Sequence, residues 1–277
     1  PLAARAGGPR WRPATEGLRM KRALVIGDTG GIGGAVAEAL RARGTEVTGL
    51  SRSRDGFDVV DEASVEAALG VLARLEADPR CGEAIGLSRS RDGLDVTQEA
   101  SLARLAGEVG GPVHLIFVAT GALEGAGHPP EKSISAVTPE ALMDQFRLNA
   151  MGPMLVLRHA LPLIPRDAPC VVAVLSARVG SIGDNAIGGW HSYRTAKAAL
   201  NQLIHGAAIE LKRTRKQACA VCLHPGTVET PFTAAYAGRH KTTPPEEAAA
   251  NLLSVIDGLT PAETGRFFDY AGREIPW

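Results

Sequence analysis

The chain has 277 residues, which is enough for one large domain with a buried core or for two smaller domains. Thirty basic residues balance thirty acidic residues, which excludes the one-sided charge expected of a protein that binds nucleic acid or an anionic membrane surface. No apolar run approaches the roughly 20 residues that span a bilayer, and four scattered cysteines are too few for a disulfide scaffold. We therefore expect a globular protein of a reducing, cytoplasmic compartment, with no nucleic-acid or membrane partner.

The order of the predicted elements indicates an α/β fold. Residues 1–19 show no periodicity, and we expect an upstream extension or disordered tail, with Met20 near the natural start, rather than a transit peptide. From residue 20 onward, apolar strand-like runs alternate with amphipathic helical stretches. This alternation predicts a doubly wound parallel sheet of the Rossmann type, in a single domain over residues 20–277. The predicted strands are Ala23–Ile26, Glu46–Leu50, Val113–Ala119, Cys170–Leu175, Ala218–Leu223 and Arg266–Asp269. The predicted helices include Gly31–Arg43, Tyr193–Leu211 and a segment that begins near Thr243 and ends at Gly258.

A glycine-rich loop follows the first predicted strand. It reads Gly27-Asp28-Thr29-Gly30-Gly31-Ile32-Gly33 and opens the first predicted helix. A tight strand-to-helix turn needs residues without Cβ clashes, and the backbone N–H groups at the positive end of a helix attract phosphate. In this strand–turn–helix context the loop predicts a site for the pyrophosphate of a dinucleotide.

The second predicted strand belongs to a tandem duplication. The octapeptide at residues 49–56 recurs unchanged at residues 86–93, and the match continues as far as residues 62–64 against residues 99–101. We take the tandem segments to be residues 49–85 and 86–122. Only one copy of the strand can lie beside the first strand, so the other copy becomes an added element at the sheet edge. Two copies are too few for a solenoid.

The residues after this strand bear on the choice of dinucleotide. A carboxylate there would favour the ribose 2′-hydroxyl of NAD, whereas a cation suits the 2′-phosphate of NADP. Ser51-Arg52 holds this position in the first copy and Ser88-Arg89 in the second. We favour NADP(H) over NAD(H), and Arg52 over Arg89 because its connection to the preceding helix is shorter. For the third strand we favour Asp95-Val96, since its path to the next strand is shorter.

Two cysteines form a C-x-x-C motif inside a predicted strand. Cys219 and Cys222 are three residues apart, and side chains alternate between the two faces of a strand. We therefore expect them to lie on opposite faces, where they can neither pair nor share a metal.

A tyrosine and a lysine begin the longest predicted helix. Tyr193 and Lys197 are four residues apart, so they share one helix face. A tyrosine ordinarily titrates near pH 10, and a nearby ammonium group lowers that value towards neutrality. Tyr-x-x-x-Lys is common by chance, and a surface pair is its usual explanation. Here Ser176 ends a buried strand upstream, where parallel sheets place ligand groups, and Asn149 interrupts a helical stretch.

These motifs resemble the short-chain dehydrogenase/reductase family, and more narrowly its bacterial C-factor-like members. The resemblance covers residues 20–277 apart from the duplicated block. It implies that Tyr193 is the general acid/base, that Ser176 orients a carbonyl, and that Lys197 binds the nicotinamide ribose and lowers the tyrosine pKa. Asn149 would support a water in the proton relay. The segments implied to border the cofactor are Ala119-Thr120-Gly121 and Pro225-Gly226 with Val228 and Thr230.

The sequence departs from the family pattern at two places. Ile26 replaces the usual threonine before the first loop glycine, and Val118-Ala119-Thr120-Gly121 stands where many members have Asn-Asn-Ala-Gly. Neither change touches the proton-transfer residues. The resemblance implies reduction of a small-molecule carbonyl or oxidation of the alcohol, in a homodimer or homotetramer joined through Thr138–Ile164 and Tyr193–Leu211. Substrate choice would be set by Ala177–Gly189 and Thr227–Lys241.

Other function classes are less well supported by the sequence. The histidines lack the paired spacing of a metal site, so no metal is expected. A sugar-nucleotide epimerase would need a larger substrate domain after Lys197. The serious alternative is an NADP(H)-binding signalling or regulatory protein without turnover, which the C-factor resemblance invites.

Overall fold

A computed structural model of the protein describes residues 22–26, 62–79, 81–124, 128–228 and 242–277. Several predicted features lie outside these ranges. They are residues 1–19, the glycine loop with the helix Gly31–Arg43, and the strand Glu46–Leu50 of the first duplicate.

Within the described residues, six parallel strands form one sheet in the order β2-β1-β3-β4-β5-β6. The strands are β1 (Arg22–Ile26), β2 (Glu83–Leu87), β3 (Leu115–Val118), β4 (Cys170–Leu175), β5 (Ala218–His224) and β6 (Phe267–Asp269). The order reverses direction between β1 and β3, and ligands of such sheets bind at the carboxyl ends of the strands near this switch. This topology confirms the predicted doubly wound α/β fold.

Helices cover both faces of the sheet. They are α1 (Glu62–Ala77), α2 (Arg89–Asp92), α3 (Glu99–Leu102), α4 (Leu105–Val109), α5 (Pro139–Phe146), α6 (Gly152–Ala160), α7 (His191–Thr214) and α8 (Pro245–Asp257). A π-helical turn, Arg147–Met151, joins α5 to α6, and 3-10 turns lie at Ile134–Ala136, Leu161–Leu163, Arg178–Gly180 and Pro261–Glu263. The predicted start and stop of the last helix agree with α8, whose first residue is Pro245 and whose C-cap is Gly258. None of the helices in the described part of the chain has both the length and the apolar character needed to cross a membrane.

The core has two layers, one on each face of the sheet. Alternate residues of each strand enter different layers: Val172 and Val174 of β4 pack under α6 and α7, whereas Ala173 packs under α1 and α8. Cys219 and Cys222 follow the same rule and lie in opposite layers, as their spacing predicts. Burial raises the pKa of each of these two thiols to about 12, which keeps them protonated.

The strand beside β1 is the one that leads into the second copy of the duplication. β2 pairs with β1 in parallel from Arg22 opposite Glu83 to Ile26 opposite Leu87, and Ser88-Arg89 follows its last residue. The expected third strand at Asp95-Val96 is wrong: the Gln98 N–H donates to the Asp95 carbonyl at 3.0 Å, which closes a turn over these residues. The Asp95 carboxylate accepts hydrogen bonds from the backbone N–H and the hydroxyl of Thr97, and such local bonds compete with a strand ladder.

Candidate active site

The predicted proton-transfer pair lies in the first turns of α7. Tyr193 and Lys197 are both buried, and the Lys197 Nζ atom is 5.8 Å from the centre of the Tyr193 ring. The ammonium group donates a hydrogen bond of 3.2 Å to the backbone oxygen of Leu175, the last residue of β4. This bond joins the helix to the carboxyl end of a central strand.

Ser176 follows Leu175 directly and faces the same helix. Its backbone N–H donates to the carbonyl of Leu223 at 2.8 Å, which fixes the strand end, and its hydroxyl donates to Asn201 Oδ1 at 2.7 Å. Asn201 in turn donates to the carbonyl of Gly180 at 3.3 Å. Sequence reasoning missed Asn201, although it continues the four-residue spacing from Tyr193 and Lys197 on one helix face.

Asn149 is fully buried in the π-helical turn between α5 and α6. Its amide nitrogen donates to the carbonyl of Ala122 at 2.8 Å and to Gln145 Oε1 at 2.6 Å, and its oxygen accepts from the Ala122 N–H at 3.2 Å. The predicted disturbance of the helical ladder at this asparagine is therefore seen, as a wider helical turn. The amide fastens the loop after β3 to this turn.

Gly121 brings these groups together at the carboxyl end of β3. A Cβ atom on Gly121 would lie 2.6 Å from Asn149 Oδ1 and 3.0 Å from Lys197 Nζ, so only a glycine fits between them. The preceding residue, Thr120, is buried, and its hydroxyl has no hydrogen-bond partner among the described residues. A buried hydroxyl without a partner is costly unless a ligand completes it.

The Pro-Gly segment leaves β5 at the same edge of the sheet. Pro225 is buried, Gly226 has a positive φ of 84°, and Val228 forms a parallel bridge with Thr243. Just before them, burial lowers the pKa of His224 to about 4, against the opposing effect of Asp269, so this imidazole is neutral at pH 7.

The other predicted site residues are divided between described and undescribed parts of the chain. Asp95 lies 3.5 Å from the Arg89 guanidinium, and the buried Val96 packs where α6 begins. No group of three or more His, Cys, Asp or Glu that could hold a metal ion occurs in the described ranges. Predicted residues outside those ranges are Gly27, Thr29, Gly30, Gly31, Ile32, Gly33, Ser51, Arg52 and Thr230.

Sequence reasoning also missed Glu131, whose buried carboxylate lies against the first turn of α7. It accepts hydrogen bonds from the backbone N–H and the hydroxyl of Ser192, the residue before Tyr193. Burial by itself raises the pKa of Glu131, but these hydrogen bonds and the charge of His191 outweigh it and hold that pKa below its usual value. Glu131 precedes Ser192 by 61 residues, so no local pattern links the two.

Comparison with known proteins gives a consistent result. The family model for short chain dehydrogenases matches residues 21–240. A 1-hydroxy-2-glutathionyl-2-methyl-3-butene dehydrogenase of Rhodococcus sp. (strain AD45) is 30% identical over 258 residues, covering 93% of this chain and all of the relative. The C-signal protein of Myxococcus xanthus is 39% identical over 132 residues, which is 48% of this chain and 76% of that protein.

Solved structures show the same likeness. A short-chain dehydrogenase/reductase of Burkholderia multivorans with bound NADP has a TM-score of 0.64 and 27% identity, over 93% of this chain and all of that one. A carbonyl reductase of Pseudomonas aeruginosa PAO1 in complex with NADP has a TM-score of 0.62 and 25% identity over the same shares.

Proposed function

The chain belongs to the short-chain dehydrogenase family and is an oxidoreductase of that family, and from this premise we propose that it interconverts a carbonyl and an alcohol with NADP(H). Tyr193 is the general acid/base. The observation that carries the proposal is the meeting of Tyr193, Lys197, Ser176 and Asn149 at the carboxyl ends of β3 and β4. Such edges are where doubly wound sheets bind their ligands.

The described residues at this edge fit a nicotinamide nucleotide. The hydroxyl of Thr120 is buried without a partner among them, and Gly121 lets the chain pass between Asn149 and Lys197, where a side chain would displace both groups. The Burkholderia and Pseudomonas relatives were solved with NADP, which supports the same cofactor here. When bound, the cofactor supplies the hydride. Thr120, Gly121 and Lys197 would hold its nicotinamide end, and Gly226 and Val228 would border it.

At the adenosine end we assign the 2′-phosphate to Arg89. Ser88-Arg89 follows β2, which is the strand paired with β1, whereas Ser51-Arg52 lies outside the described residues and stays a prediction. The Arg89 side chain is 55% exposed and pairs with Asp95 at 3.5 Å, so the guanidinium can turn to a phosphate. Arg89→Ala should weaken NADPH binding at least tenfold and leave NADH binding unchanged. The same result from Arg52→Ala alone would return the assignment to the first copy.

The proton passes between the Tyr193 hydroxyl and the substrate oxygen. The Lys197 ammonium group, held at the Leu175 carbonyl, supplies the positive charge that favours the phenolate. Ser176 now donates to Asn201, so holding a substrate oxygen requires the serine hydroxyl to exchange that partner for the substrate. Asn149 keeps the Gly121 loop against the π-helical turn, which maintains the geometry of the site.

The experiment is NADPH oxidation with a panel of carbonyl compounds. Tyr193→Phe should lower kcat by at least a thousandfold, and Lys197→Met should both lower kcat and weaken NADPH binding. Lys212→Met, an exposed lysine near the other end of α7, is the matched control and should retain full activity. An unchanged turnover rate in Tyr193→Phe would overturn the mechanism.

A second candidate is an NADP(H)-binding signalling or regulatory protein without significant turnover. The likeness to C-signal is the observation that favours it. Tight NADPH binding with no oxidation of any carbonyl in the panel would support this candidate over the enzyme.

We further propose that the protein is a cytoplasmic homodimer or homotetramer. The free thiols Cys81, Cys170, Cys219 and Cys222 suit a reducing compartment. Met143 and Phe146 of α5 and Ile209 of α7 expose apolar surface on the helices predicted to join subunits. A monomeric mass in solution scattering would refute this assembly. We also propose that Ala177–Gly189 and Thr227–Lys241 select the substrate; residues 229–241 of the second segment lie outside the described residues, so this part stays a prediction.

A further inference from the structure

The backbone that leads into α7 has an unusual conformation. Gly188, Gly189 and Trp190 have positive φ values of 69°, 68° and 51° in succession. Two are glycines, which adopt this region freely, but Trp190 is the only non-glycine residue with positive φ in the described part of the chain. Such conformations persist where the surroundings fix them, and they cluster at functional sites.

Glu131 fixes this segment through both its backbone and its side chain. The Trp190 N–H donates to the Glu131 carbonyl at 2.6 Å. The Ser192 N–H donates to Glu131 Oε2 at 3.2 Å, and the Ser192 hydroxyl donates to Oε1. A Cβ atom on Gly189 would lie 3.5 Å from the Glu131 carbonyl oxygen, so the backbone at residue 131 packs directly against this turn.

These bonds replace a cap that the helix lacks. The first N–H groups of a helix have no partner within it, and the side chain of Trp190 at the N-cap position makes no capping hydrogen bond. A carboxylate that accepts from the second residue of the helix satisfies this need and also complements the positive end of the helix. The lowered pKa of Glu131 keeps that carboxylate ionised at neutral pH.

The capped turn is the one that carries the proton donor. Tyr193 is the residue after Ser192, and its ring meets the edge of the Trp190 ring with centroids 6.5 Å apart. We propose that Glu131 is a positioning residue for Tyr193: by capping α7 from a distant part of the chain, it sets the position of the tyrosine hydroxyl relative to Lys197. This inference rests on the proposed function.

The test compares Glu131→Gln with Glu140→Gln, an exposed glutamate in the first turn of α5. Glutamine keeps the size of the side chain but removes its negative charge and leaves one acceptor oxygen where the carboxylate has two, one for the Ser192 N–H and one for the Ser192 hydroxyl. Glu131→Gln should lower kcat at least tenfold and change the Kd for NADPH less than twofold. Hydrogen exchange should accelerate at least tenfold at residues 190–195 and stay unchanged at residues 205–214. Glu140→Gln should alter none of these.

Two outcomes would overturn the proposal. One is wild-type kcat and exchange in Glu131→Gln; the other is an equal gain in exchange along all of α7, which would make Glu131 a general stabiliser. If Glu131→Gln does not fold, Ser192→Ala carries the test, with an expected loss of kcat of at least threefold and faster exchange at residues 190–195. If the wild-type protein oxidises no NADPH, the proposed function fails, while the exchange data still decide how α7 is held.

Discussion

Gly180→Ala is a sensitive test of how α7 is held at the site. Gly180 ends the 3-10 turn after Ser176 and packs against the helix. An added Cβ atom would lie 2.7 Å from Lys197 Cβ, 2.8 Å from the Lys197 carbonyl carbon and 3.1 Å from the Ala198 nitrogen. Two of these three atoms are backbone, so the helix itself must move to admit the methyl group.

The expected magnitude follows from this contact. Overpacking a filled interior costs about 1–3 kcal/mol, which lowers Tm by about 2–4 °C per kcal/mol in a protein of this size. A displacement of a catalytic group by about 1 Å can cost about a hundredfold in rate, so we expect kcat to fall by between about 10- and 100-fold. Thermal unfolding and NADPH oxidation measure the two effects.

The matched control is Gly206→Ala on the same helix. Nothing lies within 4 Å of a Cβ atom there, so alanine should stabilise the helix by about 0.5–1 kcal/mol and leave kcat unchanged. Gly180→Ala with wild-type Tm and kcat, or Gly206→Ala with the same losses, would refute the reasoning.

Three further predictions concern stability and thiol reactivity. First, burial lowers the pKa of His224 from 6.5 to about 4, so the unfolded chain binds a proton at this histidine before the folded protein does as the pH falls. The free energy of unfolding should therefore decrease by about 3 kcal/mol between pH 6.5 and pH 4. Urea unfolding of His224→Gln should lack this decrease. An unchanged pH profile in that variant would exclude this role. Second, a thiol reagent at pH 8 should react only with the half-buried Cys81 while the protein is folded. Burial raises the pKa of the other three thiols to about 12, which keeps them protonated and unreactive. Rapid reaction of all four thiols would contradict this prediction. Third, Gly70→Ala should destabilise the folded protein by about 1–3 kcal/mol, since the new Cβ atom would lie 2.7 Å from Ala249 Cβ. Adding Ala249→Gly should restore Tm in the double variant. If Tm is not restored, another contact is responsible for the loss.

Elements fixed by local pattern were predicted well. Cys170–Leu175 is a strand over the predicted residues, because its apolar run is bounded on both sides by residues that end a strand. The last helix was recognisable from its prolines and its terminal glycine. Asn149 marked a disturbed helical turn, since asparagine competes with the helical hydrogen bonds. The family resemblance read from Tyr193 and Lys197 is confirmed by the family match.

Features that depend on distant contacts were not predictable. The two copies of the duplicated strand have nearly the same local sequence, so only pairing with β1 distinguishes Glu83–Leu87. The turn at Asp95 depends on side-chain bonds that a strand-like pattern conceals. The cap on α7 comes from Glu131, and the sequence around Trp190 contains no sign of it.

The pairing of β1 with the second copy has a consequence for how the chain folds. Residues 27–82 separate these two strands, and the loop that closes when they meet is about three times longer than one ending at Glu46–Leu50. Because the entropy of loop closure grows only with the logarithm of length, this difference amounts to about 1 kcal/mol. Contacts between distant residues slow folding far more than they weaken the folded state. The duplication should therefore be visible chiefly as slow refolding. During folding, β1 should also pair transiently with the first copy of the strand, in competition with the native pairing.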